Sequence, residues 1–321
     1  MIFSKQIETI YRRKLYARAD DMGTARYLGA EDFPGLKSMP YAFPAKAGHT
    51  LQGYFYRYDN AIPGRIVVFD HGMGGGHRSY MREIERIARA GYLVFAYDHT
   101  GCMESGGENT NGFAQSLNDL DCCLKALKQA PGMQGRTIAV MGHSWGAFST
   151  MNIAALHPDV THVIALSGFV SVKTMVEQNF SGILKGYRKG IYALERKSNP
   201  DYVNYNAAKT LAETDAHVLL VYSADDRLVH KAVHYDALHS ALAGKKNVRF
   251  LLVDGKGHNP NYTADAVKYL GEYMTTLTQK LKKLELGTAE ERKAFVDSYD
   301  WLRMTEQDEA VWQVILETLA K

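Results

Sequence analysis

The sequence predicts an α/β fold in which a mostly parallel central sheet lies between layers of helices. From residue 65 onward, short apolar segments alternate with segments of helical periodicity, which is the order that βαβ units produce. The apolar segments carry few polar positions, as is typical of strands buried on both faces. A length of 321 residues allows one large or two ordinary domains. Because the alternation is continuous, we predict a single domain over 1–321.

The composition excludes several classes of protein. Hydrophobic residues make up 46% of the chain, and Lys and Arg total 38 against 35 Asp and Glu, a net charge of +3; together these exclude a disordered chain, and the charge leaves no nucleic-acid-binding footprint. No apolar run approaches the roughly 18 residues that span a bilayer, and the first 21 residues lack the apolar core of a signal peptide. Three cysteines without a C-x-x-C motif predict neither disulfides nor a zinc site. We therefore expect a cytoplasmic protein with no stable membrane insertion and no nucleic-acid partner.

The elements can be assigned in chain order from periodicity and from Gly and Pro positions. Residues 1–40 form a helical lead-in, with Ile7, Tyr11 and Leu15 at helical spacing. Gly91 ends the first helix of the alternating region, and Pro131 ends the second. Strands are predicted at 41–43, 51–58, 65–70, 92–98, 137–141, 160–166, 218–222 and 248–253, and helices at 80–90, 117–127, 146–156, 231–242 and 264–284.

Two segments lie outside this alternation. Residues 169–216 contain no convincing strand and carry six aromatic residues, so we predict a helical cap insertion. Residues 285–321 read as a helical extension, in which Thr305 and Asp308 resemble a capping box ahead of an apolar face. With Trp301 and Trp312, this extension has three candidate partners: the domain itself, a second copy in a homodimer, or a membrane surface.

The strongest chemical signal is the segment Gly142-His-Ser144-Trp-Gly146, which lies between a predicted strand and a predicted helix. This context is the one expected of a nucleophile elbow, a tight turn in which glycines remove side chains that would clash. Ser144 is then presented at a helix N-terminus, where the helix dipole favours developing negative charge. A chance G-x-S-x-G is the alternative interpretation.

A serine hydroxyl needs a base, and the base needs an orienting carboxylate. His258 follows the last predicted strand on a glycine-flanked loop, which makes it the candidate base, whereas His230, His234 and His239 fall on a helical pattern and are expected to be surface or packing residues. The carboxylate is expected after the preceding strand, where Asp225 and Asp226 are adjacent. Their positions alone leave both open, the other member then being a turn-forming side chain.

A tetrahedral intermediate also needs N–H donors for its oxyanion. One is expected from Trp145, the residue after the nucleophile, and the other from Met73 in the Gly-rich segment 71–76. A phosphate-binding loop is the rival interpretation of that segment. It lacks both the G-x-G-x-x-G spacing and a Walker lysine.

Taken together, these motifs resemble the α/β-hydrolases, and more narrowly the serine aminopeptidase, monoacylglycerol lipase and lysophospholipase-like hydrolases. The resemblance runs in family order from about residue 65 to 260, through HGMG (71–74), the segment 98–106, GHSWG (142–146), the D-x-x-V step at 226–229 and Gly257-His258. The D-x-x-V step favours Asp226 as the acid. In the segment 98–106, Thr100 stands where the family usually has arginine, which weakens any transfer of substrate preference.

The resemblance implies a serine esterase or lipase-type carboxylic ester hydrolase (EC 3.1.1.-) acting on a small acyl substrate without metal or cofactor. An aminopeptidase or acyl-peptide hydrolase using the same residues is the alternative, and a non-catalytic binding protein on the same fold is a second. Cys102 is either a reactive thiol near the site or an ordinary buried cysteine. Basic residues outnumber acidic ones in the cap, which leans against a cationic substrate: Lys173, Lys185, Arg188, Lys189, Arg196 and Lys197 against Glu177, Glu195 and Asp201.

Overall fold

Eight strands form one sheet in the computed structural model, which describes the backbone of residues 2–321 and the side chains from residue 5 onward. The strands are β1 Lys37–Pro44, β2 Thr50–Arg57, β3 Arg65–Asp70, β4 Leu93–Tyr97, β5 Thr137–His143, β6 Val160–Leu166, β7 His217–Ser223 and β8 Val248–Val253. Their order in the sheet is β1-β2-β4-β3-β5-β6-β7-β8. Pairing is antiparallel between β1 and β2 and between β2 and β4, and parallel everywhere else. The predicted mostly parallel α/β sheet is confirmed.

Helices cover both faces of this sheet. They are α1 Ile2–Tyr11, α2 Met81–Arg89, α3 Gln115–Gln129, α4 Trp145–Asn152, α5 Val172–Asn179, α6 Arg188–Ser198, α7 Ala207–Glu213, α8 Tyr235–Ala241, α9 Ala264–Lys282, α10 Ala289–Asp297, α11 Trp301–Met304 and α12 Glu309–Leu319. One apolar core joins α3, α4, α7 and α8 to the sheet face that includes Val140 and Leu220. A second core joins α2 and α12 to the opposite face, which includes Met141 and Leu219. Alternate strand residues therefore enter different cores, as the pleat requires.

The second face is closed by the C-terminal extension. The helix that follows the last strand does not take this place, because α9 packs mainly with α10 and α11 in a separate small cluster around Tyr273 and Phe295. α12 covers β6 and β7 instead, with Trp312 and Ile315 fully buried. Of the partners considered for the extension, the domain itself is therefore the one that this helix contacts. Its N-cap is Asp308, whose carboxylate accepts the Val311 N–H, and not Thr305, so the predicted capping box is wrong.

The segment 169–216 forms α5, α6, α7 and a 3-10 turn at Gly182–Tyr187. Glu195 of α6 is fully buried and accepts hydrogen bonds from the hydroxyls of Tyr11 and Tyr16 and from the Phe113 N–H. The N-terminal residues therefore pack against this segment through a buried carboxylate. Whether the lead-in, the insertion and the extension are separate folding units stays a prediction.

Arg18 holds the loop that follows β4. Its guanidinium donates to the carbonyls of Met103, Ser105 and Gly107, at 2.6, 2.9 and 2.7 Å. A short parallel bridge between Ala19 and Cys102 lies beside these contacts. The N-terminal segment thus supplies a guanidinium to the loop that contains Thr100.

Within residues 2–321, no helix combines the length and the apolar character needed to cross a bilayer.

The buried Glu195 generates a prediction for stability. Burial raises the pKa of Glu195 to about 7, against hydrogen bonds from Tyr11, Tyr16 and Phe113 that lower it. Since the folded-state pKa lies above the unfolded one, the folded state binds more protons between about pH 4.5 and 7, and the free energy of unfolding falls as pH rises through that window. Across that window the wild type should lose on the order of 3 kcal/mol of its free energy of unfolding, and Glu195→Gln should not show this loss.

Urea unfolding of the wild type and Glu195→Gln at pH 5 and pH 8 measures this difference. The wild type should lose more stability across the window than the variant does. Equal losses in the two proteins would contradict a buried, proton-binding Glu195.

Candidate active site

Four of the five segments singled out in the sequence follow the carboxyl ends of β3, β5, β7 and β8, and the fifth, 98–106, follows β4. In parallel α/β sheets, ligands bind beyond these ends. The sheet therefore brings the segments together at one edge.

Ser144 occupies a strained turn between β5 and α4. Its φ of 55° and ψ of −109° lie outside the usual regions for a residue with a side chain. A Cβ at position 142 would lie 2.5 Å from the carbonyl oxygen of Gly146, and a Cβ at position 146 would lie 2.0 Å from that of Asp70. Both glycines are thus required for the turn. Ser144 is partly exposed and its side chain makes no capping bond to α4, so the hydroxyl is presented at the N-terminus of the helix.

Asp226 and His258 are in direct contact across the loops after β7 and β8. The Asp226 Oδ2 atom lies 2.8 Å from His258 Nδ1, while Oδ1 accepts the N–H groups of Leu228 and Val229 at 2.8 and 3.0 Å. Burial alone would raise the pKa of Asp226, but the hydrogen bonds from His258 and from these two N–H groups lower it below its usual value. Asp226 is therefore an ionised carboxylate aimed at the imidazole. The D-x-x-V spacing reflects the bond to Val229.

Asp225 points the other way and holds the loop of His258. Its Oδ1 atom accepts the N–H groups of Lys256 and Gly257 at 3.2 and 3.0 Å, together with the Ser223 hydroxyl. The sequence interpretation of the second aspartate as a turn-forming side chain fits these contacts. The N–H groups that it caps belong to a neighbouring strand's loop and not to its own turn.

The Ser144 hydroxyl and His258 are close in the fold but not joined. His143, the residue before Ser144, donates its Nε2 proton to the His258 carbonyl at 2.7 Å. Among the side chains described from residue 5 onward, no hydrogen bond links Ser144 Oγ to the His258 imidazole. Such contacts are often long before substrate binds.

The two N–H groups predicted for an oxyanion lie at the ends of β3 and β5. Trp145 is the first residue of α4, so its N–H has no partner within the helix. Its side chain is anchored, because the indole N–H donates to the Phe113 carbonyl at 2.7 Å. Met73 lies in the turn after β3 and is partly exposed. His71 fixes the start of that turn by donating from Nδ1 to the Gly72 carbonyl and accepting the His99 N–H at Nε2.

A buried charged cluster beneath the site was not found in the sequence. The His99 imidazole lies 2.7 Å from Asp70 and 3.3 Å from Asp119. Burial lowers the pKa of His99, but these two carboxylates outweigh it and raise the pKa to about 9. His99 is therefore a buried imidazolium behind Trp145, whose ring lies 4.7 Å away. Its sequence signal was its place directly after a strand end.

The loop carrying His258 is braced by the C-terminal extension. Lys256 pairs with Asp308, and the Asn261 side chain donates to the Gln307 amide oxygen at 2.8 Å. Gln307 also accepts the indole N–H of Trp312 at 2.7 Å. α12 therefore packs against the sheet and holds this loop from behind.

With this geometry established, the chain was compared with known proteins. The model of the family described as serine aminopeptidase, S33, matches residues 61–249, which include Ser144 and Asp226. The match covers more than half of the chain.

The chain belongs to this family of α/β-hydrolases.

The individual proteins that resemble this hydrolase share less than 30% sequence identity with it. A monoglyceride lipase homolog of Monkeypox virus is 29% identical over 121 residues, 36% of this chain, and the chain spans 43% of that relative's length. The esterase Pf2001 of Pyrococcus furiosus superposes with a TM-score of 0.59 at 18% identity, covering 81% of this chain and 96% of that one. A putative dienelactone hydrolase of Klebsiella pneumoniae gives 0.56 at 18% identity, covering 89% and 99%. At these identities the solved structures show a shared fold.

The other side chains that the sequence analysis considered are not part of the candidate site. Cys102 is fully buried, and burial raises the pKa of its thiol, which favours the ordinary buried cysteine over the reactive one. His234 is a buried packing residue that accepts the Val170 N–H at 3.2 Å, and His230 is exposed. In the described part of the chain, no three His, Cys, Asp or Glu side chains are grouped so as to hold a metal ion.

The strained turn of the hydrolase can be tested through stability. We expect Ser144→Gly to be more stable than Ser144→Ala by about 1 kcal/mol, because relief of one strained residue, worth about 1–3 kcal/mol, exceeds the entropic cost of glycine. At the exposed helical position Thr275 the order should reverse, with Ala more stable than Gly by about 1 kcal/mol. Urea unfolding of the four variants provides the comparison. If the alanine variant is more stable than the glycine variant at both positions, the result would argue against strain at Ser144.

Proposed function

We propose that this hydrolase is a serine esterase of the carboxylesterase or lipase type, with Ser144 as nucleophile, His258 as general base and Asp226 as the orienting acid. The observation that carries the proposal is the Asp226–His258 contact of 2.8 Å beside a strained serine turn at a helix N-terminus. Each member lies on the loop after a different strand, so the sheet holds their relative positions.

The roles follow from the contacts. Asp226 occupies His258 Nδ1, which leaves Nε2 to take the proton from Ser144 as the hydroxyl attacks the acyl carbon. The imidazolium formed is stabilised by the carboxylate and then protonates the leaving alcohol. The N–H groups of Met73 and Trp145 would receive the negative oxygen of the tetrahedral intermediate. Water, deprotonated by the same imidazole, then releases the acid from the acyl-enzyme and restores Ser144.

Ester cleavage is favoured by two of the similar proteins, which are named a monoglyceride lipase homolog and an esterase. A small acyl substrate fits this chemistry. The cytoplasmic location and the homodimer remain proposals.

A fluorophosphonate probe tests the proposed roles directly. We expect the wild type to be labelled and Ser144→Ala to be unlabelled. Asp226→Asn should lower kcat for a p-nitrophenyl ester by about 10³ to 10⁴, since His258 loses the partner that sets its tautomer. Asp225→Asn is the matched control and should cost less than about tenfold, because that side chain supports the loop and not the imidazole.

Two outcomes would contradict this assignment. An unlabelled wild type would favour the non-catalytic binding protein. A larger loss for Asp225→Asn than for Asp226→Asn would exchange the roles of the two aspartates.

A second candidate function is amide cleavage by an aminopeptidase or acyl-peptide hydrolase, and the description of the matching family favours it. A cavity of about 190 Å³ lies beside Gly76, at the end of the Gly-rich loop, and its lining includes Asp20, Asp21 and Glu104 together with one cation, Arg78. Carboxylates in that position would suit a substrate ammonium group, against the basic charge of the cap.

Parallel rates on acyl p-nitrophenyl esters of increasing chain length and on aminoacyl p-nitroanilides separate the two candidates. We expect kcat/KM for the best ester to exceed that for the best anilide by at least about 10², since the amine is the poorer leaving group and no ammonium anchor is required. A preference for anilides with a free amino group, lost in Asp21→Asn, would establish the aminopeptidase instead.

A further inference from the structure

His143 lies between three parts of the candidate site and is used by none of the roles assigned above. It directly precedes Ser144, its ring lies 4.7 Å from the His258 ring, and it is 5% exposed. A buried histidine next to a nucleophile and against the proposed base calls for an account of both of its nitrogens.

Each nitrogen has one partner, and the partners fix the direction of every proton. The His258 carbonyl can only accept, so His143 Nε2 carries the proton and donates at 2.7 Å. His143 Nδ1 is then the acceptor, and the Tyr80 hydroxyl donates to it at 2.9 Å. The Tyr80 oxygen in turn accepts the Gly72 N–H at 3.1 Å. The result is a continuous chain of bonds from Gly72 through Tyr80 and His143 to His258.

This series of hydrogen bonds connects the loops whose relative positions the reaction depends on. Gly72 directly precedes Met73, one of the proposed oxyanion donors, and His258 is the proposed base. Because His143 is fixed to the backbone of the serine turn, it sets the distance of both loops from Ser144. Asp225 and Asp308 hold the loop of His258 at residues 256 and 257, whereas the His143 contact acts at residue 258 itself.

A neutral ring is required for this arrangement, because a charged imidazole has no acceptor for Tyr80. Burial, with a smaller effect from the nearby His258, lowers the pKa of His143 to about 3, against the His258 carbonyl and Asp226, which raise it. The groups facing the ring are Tyr80 from the 3-10 turn at His77–Tyr80, His258 from the loop after β8, and Asp226 more distantly from the loop after β7. The ring is therefore neutral near pH 7, and its two hydrogen bonds select one tautomer.

We propose that His143 is a positioning residue, which holds the His258 backbone and the Gly72–Met73 loop in register with Ser144 through two opposed hydrogen bonds. The inference rests on the proposed function, since it concerns the geometry of that reaction. His143 acts through its neighbours and exchanges no proton with the substrate.

Three substitutions test separately the hydrogen bonds at the two nitrogens of the His143 ring. In His143→Gln, the amide nitrogen reaches about as far as Nε2 and can still donate to the His258 carbonyl. In His143→Leu, volume is kept but both bonds are lost. Tyr80→Phe removes only the hydroxyl between His143 and Gly72, and it provides a conservative change if the leucine variant folds poorly.

The measurements are kcat and KM on a p-nitrophenyl ester, the labelling rate with the fluorophosphonate probe, and the thermal unfolding midpoint. We expect His143→Leu to lower kcat and the labelling rate by about 30-fold or more with KM changed less than about threefold, because misplacement of reacting groups acts on the transition state. His143→Gln should recover to within about fivefold of the wild type. Tyr80→Phe should fall between the two.

The outcomes that oppose the inference are distinct from those that oppose the proposed function. A wild type that does not react with the probe would remove both. A reactive wild type with an equally reactive His143→Leu, or with a glutamine variant no better than leucine at an equal unfolding midpoint, would overturn the positioning role alone. If the leucine variant does not fold, full activity of Tyr80→Phe together with a glutamine variant at or below one-thirtieth of the wild-type rate would also overturn it.

Discussion

The site depends on one close approach between two backbones. Position 146, in the first turn of α4, lies so near the chain leaving β3 that a Cβ there would meet the carbonyl oxygens of both Asp70 and His71. Glycine permits the contact, and the contact sets where the loop after β3 begins relative to the serine turn. The positive φ of Ser144 is the strain that accompanies it. Side chains can then reach across short distances because the backbones that carry them already lie together.

Much of what surrounds this contact was predictable from the sequence, because its signals are local. Strands 65–70 and 160–166 were placed with the bounds of β3 and β6, since largely apolar runs mark strands buried on both faces. The serine turn followed from glycine spacing between a strand and a helix. The contacts of Asp226 and His258 followed from the rule that parallel strands end at one edge of a sheet.

The features that the sequence did not predict are contacts between residues that lie far apart in the chain. Periodicity shows that a helix has an apolar face but not what covers it, so the sequence left the partner of α12 open among three candidates. Asp308 replaced Thr305 as the cap because a helix start depends on where packing allows it to begin. No periodic pattern in the sequence marks the contacts of Arg18, Tyr80 and His99 with their partners. They could be found only once the fold had brought those residues together.

The late position of α12 has a consequence for how the protein is made. Strands β6 and β7 present Leu219 and the other residues of the second core to that helix. During synthesis the strands of this apolar face are made long before residues 309–319 leave the ribosome, because the 85 residues 224–308 separate β7 from α12. The nascent chain must therefore carry an open apolar surface through the translation of α8 to α11. This face of the sheet is thus closed by a helix that is made well after the strands that it covers.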